Sequence, residues 1–270
     1  MTQLRWWQTN SLSRRLLIAG ALGLSLVFTS SALAQYVPTQ PSKPSGPLGS
    51  GSTRYVPPRS SRPSGPVGST GTRGGCGEAT ETSLTILAPS SHNGQTVATH
   101  PTFVWYMPDQ ETDSVEFSLY ESGEKSRYKL VYRKSLERTK DRIQKFTLPE
   151  SVPGLAVRQT YLWQVALLCD PSEPAKDKLA TATIEVGAMP PELKAALAQT
   201  PDHLKRASLY AQAGFWYDAL AESLAVSSTK PIWLDLVESL SQLETPSPVA
   251  EARRQGEQLQ SIVTFERRKP

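Results

Sequence analysis

The chain has 270 residues, of which 38% are hydrophobic and 20% charged, with 22 Pro, 17 Gly and a formal charge of +4, enough for one or two ordinary domains. Eight cations (Arg5, Arg14, Arg15, Lys43, Arg54, Arg59, Arg62 and Arg73) precede Cys76 with no acidic residue among them, and removing them from +4 leaves residues 76–270 at −4. The basic balance therefore does not describe a folded, nucleic-acid-binding surface, and two cysteines with three scattered histidines speak against a Cys/His-rich metal site or a disulfide-dense miniprotein.

Residues 1–34 have the three-part layout of a signal peptide: a basic start, an apolar run Leu16–Phe28, and small residues ending at Ala32-Leu33-Ala34. A 13-residue run covers about 20 Å as a helix, short of a ~30 Å hydrocarbon core. Cleavage after Ala34 leaves a mature chain starting at Gln35 with no transmembrane segment, periplasmic or extracellular in location. Arg14-Arg15 leaves the general secretory and twin-arginine routes both open.

Residues 36–54 and 55–73 are tandem copies, YVPTQPSKPSGPLGSGSTR and YVPPRSSRPSGPVGSTGTR, identical at 12 of 19 positions. Between Tyr36 and Gly75, 24 of 40 residues are Pro, Gly or Ser. Such a composition buries too little apolar surface to offset its ordering entropy, so 35–75 is expected to be a disordered, cationic linker.

From Ser83 to Val186 seven short extended runs alternate with turn chemistry: 83–88, 102–107, 114–121, 126–136, 143–148, 159–169 and 178–186. This spacing predicts a β-sandwich over 76–188. Val115, Phe117 and Leu119 alternate with polar residues before the turn Glu121–Lys125, giving a hairpin with the next run. Tyr161, Trp163, Val165, Leu167 and Cys169 share one face by the period of two. Leu155 six residues before Tyr161, with Trp105 on the second run, resembles the corner and buried tryptophan of fibronectin-type and immunoglobulin-like sandwiches.

After Met189-Pro190-Pro191 the period becomes helical. Leu193, Ala196 and Leu197 form one stripe. Leu204, Ala207, Tyr210, Ala211 and Gly214 form a second, Trp216, Ala219, Leu220 and Leu224 a third, and Leu236, Val237 and Leu240 a fourth. The spacing of Ala207, Tyr210, Ala219 and Pro231 is similar to a tetratricopeptide helical hairpin within 189–245. One such unit cannot cover its own faces, so it must pack on the sandwich, on flanking helices or on a partner. Residues 246–270 are expected to be a tail or one short, mainly polar helix.

Five stretches in this order carry a wider resemblance: Gly71-Thr-Arg-Gly-Gly-Cys76; Leu84-Thr-Ile-Leu87-Ala-Pro89; His100-Pro101-Thr-Phe103-Val-Trp105-Tyr106-Met-Pro108; Tyr161-Leu-Trp163 leading to Cys169-Asp170-Pro171; and Ala207 through Leu220. They resemble the cyanobacterial secreted proteins of the domain-of-unknown-function 928 family, over residues 71–243. The resemblance implies an exported bacterial protein and supplies no catalytic residues.

Nucleophile-elbow, zinc-protease, Walker and dinucleotide patterns do not occur in the sequence. Ser122-Gly-Glu-Lys125 and Ser126-Arg-Tyr-Lys129 spell Ser-x-x-Lys, but on a hairpin and without companion motifs. Asp109, Glu111 and Asp113 lack the rest of a calcium loop. His100 reads as a packing residue before Pro101, and His203 as a solvated one. No catalytic, metal or cofactor residues are assigned. Cys76 and Cys169, the only cysteines, are expected to form a disulfide in an oxidising compartment, with two buried thiols as the alternative. Phe215, Trp216 and Tyr217 are the candidate binding residues, because three consecutive aromatics on a helix cannot all face one core. The expected function is a non-catalytic envelope protein that binds an unknown protein or a cell-wall polymer. The alternative is an envelope polysaccharide or peptide hydrolase whose carboxylates meet only in the fold.

Overall fold

A computed structural model of the chain describes residues 53–58, 63, 67–70, 83–107, 114–123, 127–137, 139–169, 172, 174–226 and 232–268. All of them belong to one unit, Leu48–Pro270. The leader 1–34 and residues 36–52 of the first repeat copy lie outside these residues.

Among the described residues there are nine strands, most of them where side chains alternate between turn residues, followed by five helices where the period lengthens. The larger sheet has the order β1 (Gly68–Thr70), β9 (Lys178–Val186), β8 (Thr160–Leu167), β5 (Ser114–Ser122) and β6 (Tyr128–Glu137). Gly94–Thr96, strand β3, pairs in parallel with the second half of β9, while β1 runs antiparallel to the first half. Two short strands thus cap one edge of this sheet, a usual way to protect open backbone groups. The smaller sheet is β2 (Thr85–Ile86), β4 (Thr102–Tyr106) and β7 (Ile143–Thr147), all antiparallel.

The two sheets meet through aromatic rings. Phe103 of β4 lies 4.9 Å from both Phe117 of β5 and Trp163 of β8, and Phe117 lies 4.7 Å from Phe146 of β7, centroid to centroid. Tilted pairs at this spacing add about 0.5–1.5 kcal/mol each beyond the area they bury. All seven expected runs are strands or contain one. Trp105 is buried, and so are Tyr161, Trp163, Val165 and Leu167. The hydroxyl of Tyr161 accepts the Ala156 N–H at 3.0 Å, pinning the corner at which β8 begins. Strand β8 ends at Leu167, so Cys169 lies two residues beyond it and is only half-buried, not on the buried face as its spacing suggested.

The helices are α1 (Pro191–Ala198), α2 (His203–Ala213), α3 (Trp216–Ser223), α4 (Ile232–Glu244) and α5 (Ala250–Arg267). Asp202 caps α2 by accepting the Lys205 N–H at 2.8 Å. Gly214 ends α2 in the left-handed region (φ 88°), where glycine carries no steric penalty, and α3 starts at once. Helices α3 and α5 pack against the smaller sheet. Trp216 Nε1 donates to the Leu87 carbonyl at 2.8 Å, Gln255 Nε2 donates to the Ile86 carbonyl at 2.6 Å, and the Tyr106 hydroxyl donates to Glu266 at 2.8 Å.

Of the two alternatives for residues 246–270 the helix is the one present: α5 buries Ala252, Gln255, Gly256, Leu259, Ile262 and Val263, a stripe diluted by small and polar members. One expectation is corrected. Part of the second repeat copy is ordered. Tyr55 is 1% exposed and β1 pairs with β9; low average apolarity does not prevent one aromatic from docking.

A Cβ on Gly256 would lie 2.5 Å from the Thr245 amide nitrogen. The α4–α5 hairpin therefore closes only over a hydrogen. Gly256→Ala is expected to destabilise by about 1–3 kcal/mol through overpacking, despite alanine's better helix propensity. Thermal denaturation checks this, and an unchanged or raised melting temperature contradicts it.

Candidate functional site

The segment Thr53–Pro58, the end of the first repeat copy and the start of the second, lies in a groove built by the loop after β2, the corner between α2 and α3, and α4. The Tyr55 ring packs edge-on against Trp216 at 5.0 Å and nearly parallel to His92 at 5.8 Å. Its backbone N–H donates to Ser239 Oγ at 3.0 Å, and the Val56 N–H donates to the Ala211 carbonyl at 3.0 Å. A Cβ on Gly214 would sit 3.2 Å from Pro58 Cδ and 3.3 Å from the Val56 carbonyl oxygen. The same glycine that ends α2 thus lets the docked segment approach.

Under the ring runs a chain of polar contacts. The Tyr55 hydroxyl is 2.8 Å from His92 Nε2, His92 Nδ1 is 3.0 Å from Ser91 Oγ, and Ser91 Oγ donates to Glu244 Oε1 at 2.9 Å. One assignment satisfies all three bonds: Tyr55 donates to Nε2, an Nδ1-protonated His92 donates to Ser91, and Ser91 donates to the carboxylate. The Ser90 and Ser91 amides also donate to Oε1, at 3.0 and 3.1 Å. Glu244 is fully buried, and its Oε2 has no hydrogen-bond partner among the described residues. Burial raises the Glu244 pKa, opposed by the three hydrogen bonds to Oε1. Burial also lowers His92 to about 4, which keeps the ring neutral near pH 7, and raises the Tyr55 phenol above its usual range.

Beside this groove the candidate aromatics are absorbed. Phe215, Trp216 and Tyr217 are 4%, 0% and 1% exposed, so none projects outward, and Trp216 lies instead against the docked Tyr55. The reason is that Phe215 precedes the helix as its N-cap and α3 is covered on more than one side. The Tyr217 hydroxyl accepts from Trp163 Nε1 at 2.8 Å and donates to the Thr183 carbonyl at 2.9 Å. A Cβ on Gly94 would meet the Tyr217 ring at 2.7 Å, and one on Gly187 the Phe215 ring at 2.9 Å. These rings join helices to sheets.

The remaining sequence candidates do not converge. Cys76 and the acidic loop Asp109, Glu111 and Asp113 lie outside the described residues, as do Lys125 and Ser126. Ser122 ends β5, and Lys129 is in β6. His100 Nε2 bonds the Val152 carbonyl at 2.9 Å, the packing role expected of it. His203 is exposed but paired with Glu222 at 2.6 Å, and Arg206 donates to the same carboxylate at 2.7 Å. Among the described residues no three His, Cys, Asp or Glu side chains form a metal-binding group. A surface depression of about 340 Å³ beside α5 is lined by Gln260, Ser261, Thr264, Phe265 and Arg268, without a carboxylate. The sequence reading missed Tyr55, Ser91, His92 and Glu244. The available signal was that Tyr-Val-Pro opens both repeat copies.

Asp218, on α3, accepts the Val97 N–H at 3.0 Å and is raised by burial from 3.8 to about 7. A carboxyl with a raised folded-state pKa contributes stability below its unfolded value that is lost as pH rises through the folded one. The Asp218 contribution therefore falls between about pH 4 and 7. His92, depressed from 6.5 to about 4, loses its contribution in the opposite direction, as pH falls from 6.5 to 4. Asp218→Asn is expected to leave stability at pH 4 nearly unchanged and to raise it at pH 8. A three-unit shift corresponds to about 4 kcal/mol, and partial solvent access of Asp218 reduces this to about 2 kcal/mol. Denaturant unfolding of both proteins across this range checks the slope; parallel pH profiles contradict it.

The chain matches no curated protein. The family described as Domain of Unknown Function (DUF928) matches residues 68–247, from β1 to the turn between α4 and α5. That span takes in both sheets and the walls of the groove, and leaves out the docked Tyr55 segment and α5. With two thirds of its length matched in this way, the chain belongs to the DUF928 family.

Proposed function

We propose that the protein is an exported, non-catalytic interaction protein of the cell envelope, and that it binds an extended, acidic protein segment along the outer edge of β6. The observation that carries this reading is the strand itself. It is ten residues long and largely exposed, and among the described residues it pairs with β5 alone. It presents Leu130 and Val131, 44% and 37% exposed, beside the cations Lys129 and Lys134, while Arg133 is paired with Glu116 of β5. A long edge with apolar side chains is a template for strand addition. Its cations oppose pairing with a second copy and suit a partner of opposite charge.

The β region reads as an immunoglobulin- or fibronectin-like sandwich. Three features support this: the split into β2-β4-β7 and β9-β8-β5-β6, the parallel pairing of β3 with β9, and the Tyr161 corner. The pairing of α2 with α3 and of α4 with α5 supports a tetratricopeptide-like reading of the helices. Export is supported by the leader-like residues 1–34. No helix among the described residues is long and apolar enough to cross a membrane.

A Cys76–Cys169 disulfide belongs to the same proposal. Cys169 is not a free thiol, and Cys76 is the only other cysteine in the chain. Alkylation of the exported, natively folded protein followed by mass spectrometry is expected to label neither cysteine without prior reduction. Labelling of both under native conditions contradicts the bridge.

The binding reading is tested with a photo-crosslinking residue placed at Leu130 or at Val249, both exposed, in the mature chain incubated with envelope fractions. Crosslinks to a partner protein are expected from position 130 and not from 249. They should drop at least fivefold in a Lys129→Glu/Lys134→Glu variant whose melting temperature is unchanged. Equal capture at both positions, or capture indifferent to the charge reversal, overturns the proposal.

A further inference from the structure

We propose that the groove holding Tyr55-Val56-Pro57 is a receptor for the Tyr-Val-Pro motif, and that Tyr36-Val37-Pro38 of the same chain is its second, exchangeable ligand. Each polar contact described for the docked segment is made to an atom that the first copy also possesses. The groove takes the tyrosine hydroxyl at His92, the tyrosine amide at Ser239 and the valine amide at Ala211. The ring contacts with Trp216 and His92 require only tyrosine. Close approach to Gly214 involves the valine carbonyl, common to both copies, and Pro58. Position 58 is the first difference between the copies, because Thr39 stands there in the first.

The two ligands compete for one site on nearly equal terms. Both are tethered to the domain through β1, so both are presented at high effective concentration. Docking the first copy lengthens the loop between groove and β1 by one 19-residue repeat. Closure entropy grows slowly with loop length, and this extension disfavours the first copy by only about fourfold. Exchange in the same chain is favoured over exchange between chains because the tether sets that concentration whatever the protein concentration. Exchange of the motif therefore decides whether Lys43 and Arg54 precede the docked tyrosine or lie between it and β1.

The test uses the mature chain from Gln35 and a fluorescent peptide, Tyr-Val-Pro-Thr-Gln-Pro-Ser-Lys, copied from residues 36–43. The Tyr36→Ala/Tyr55→Ala variant, with neither internal ligand, is expected to bind the peptide with one-to-one stoichiometry. Tyr55→Ala alone should bind it about tenfold more weakly, because Tyr36 occupies the groove. Equal peptide affinity in the two variants, or no binding by the double variant, overturns the proposal.

A second measurement does not depend on the alanine variants folding. Val37 is replaced by photoreactive benzoylphenylalanine in a Tyr55→Phe background, which keeps the ring and removes the hydroxyl bonded to His92. Crosslinks to the Ala211–Gly214 corner within a single chain are expected. Crosslinks that appear only between chains, or none at this corner, overturn it.

Discussion

The smaller sheet has apolar side chains on both faces, and three short strands cannot shield either one. Its inner face is covered by the larger sheet through Phe103, Phe117 and Trp163. Its remaining apolar side chains must be covered by something else, and helices α3 and α5 supply that cover. Strand β2 shows the demand most sharply. It is only two residues long, yet Leu84 to Ser90 are all buried. Carbonyls in this stretch that its short ladder leaves open receive Trp216 Nε1 and Gln255 Nε2. Buried backbone groups must be paired, so these two side chains tie α3 and α5 to this stretch.

The joints between sheets and helices are polar contacts inside an apolar setting. Tyr217 links Trp163 to the Thr183 carbonyl, Asp218 holds the Val97 amide, and Glu244 holds the Ser90 and Ser91 amides. Each such group costs desolvation and gives back direction. Apolar surfaces alone allow helices to slide over a sheet, whereas a carboxylate gripping two successive amides allows one placement.

How much of this was legible depended on what each element uses to form. The six longer strands and the four helical stripes are built by side-chain periodicity, which a sequence displays directly. Strands β1 (Gly-Ser-Thr) and β3 (Gly-Gln-Thr) carry no such pattern. They exist because the edge of β9 offers backbone partners, a property of the folded sheet. The burial of the whole aromatic run 215–217 was not legible because facing rules for a helix do not hold for Phe215, which lies just outside it. Tyr55 was hidden for a different reason: disorder arguments average over a segment, while docking needs only a few residues and a cavity of the right shape.

The hydrogen bond from the Tyr55 amide to Ser239 spans 184 positions, and that from Gln255 to Ile86 spans 169. The groove and the cover over β2 are therefore completed by residues near opposite ends of the chain. Chains are made from the N-terminus, so the Tyr-Val-Pro copies and β2 are present long before α4 and α5 exist to receive them. Contacts of such high sequence separation form late and slowly. During that interval the apolar stretch Leu84, Ile86 and Leu87 lacks the helices that later bury it, and a newly made chain is most exposed to misassociation there until the eighteen-residue α5 arrives.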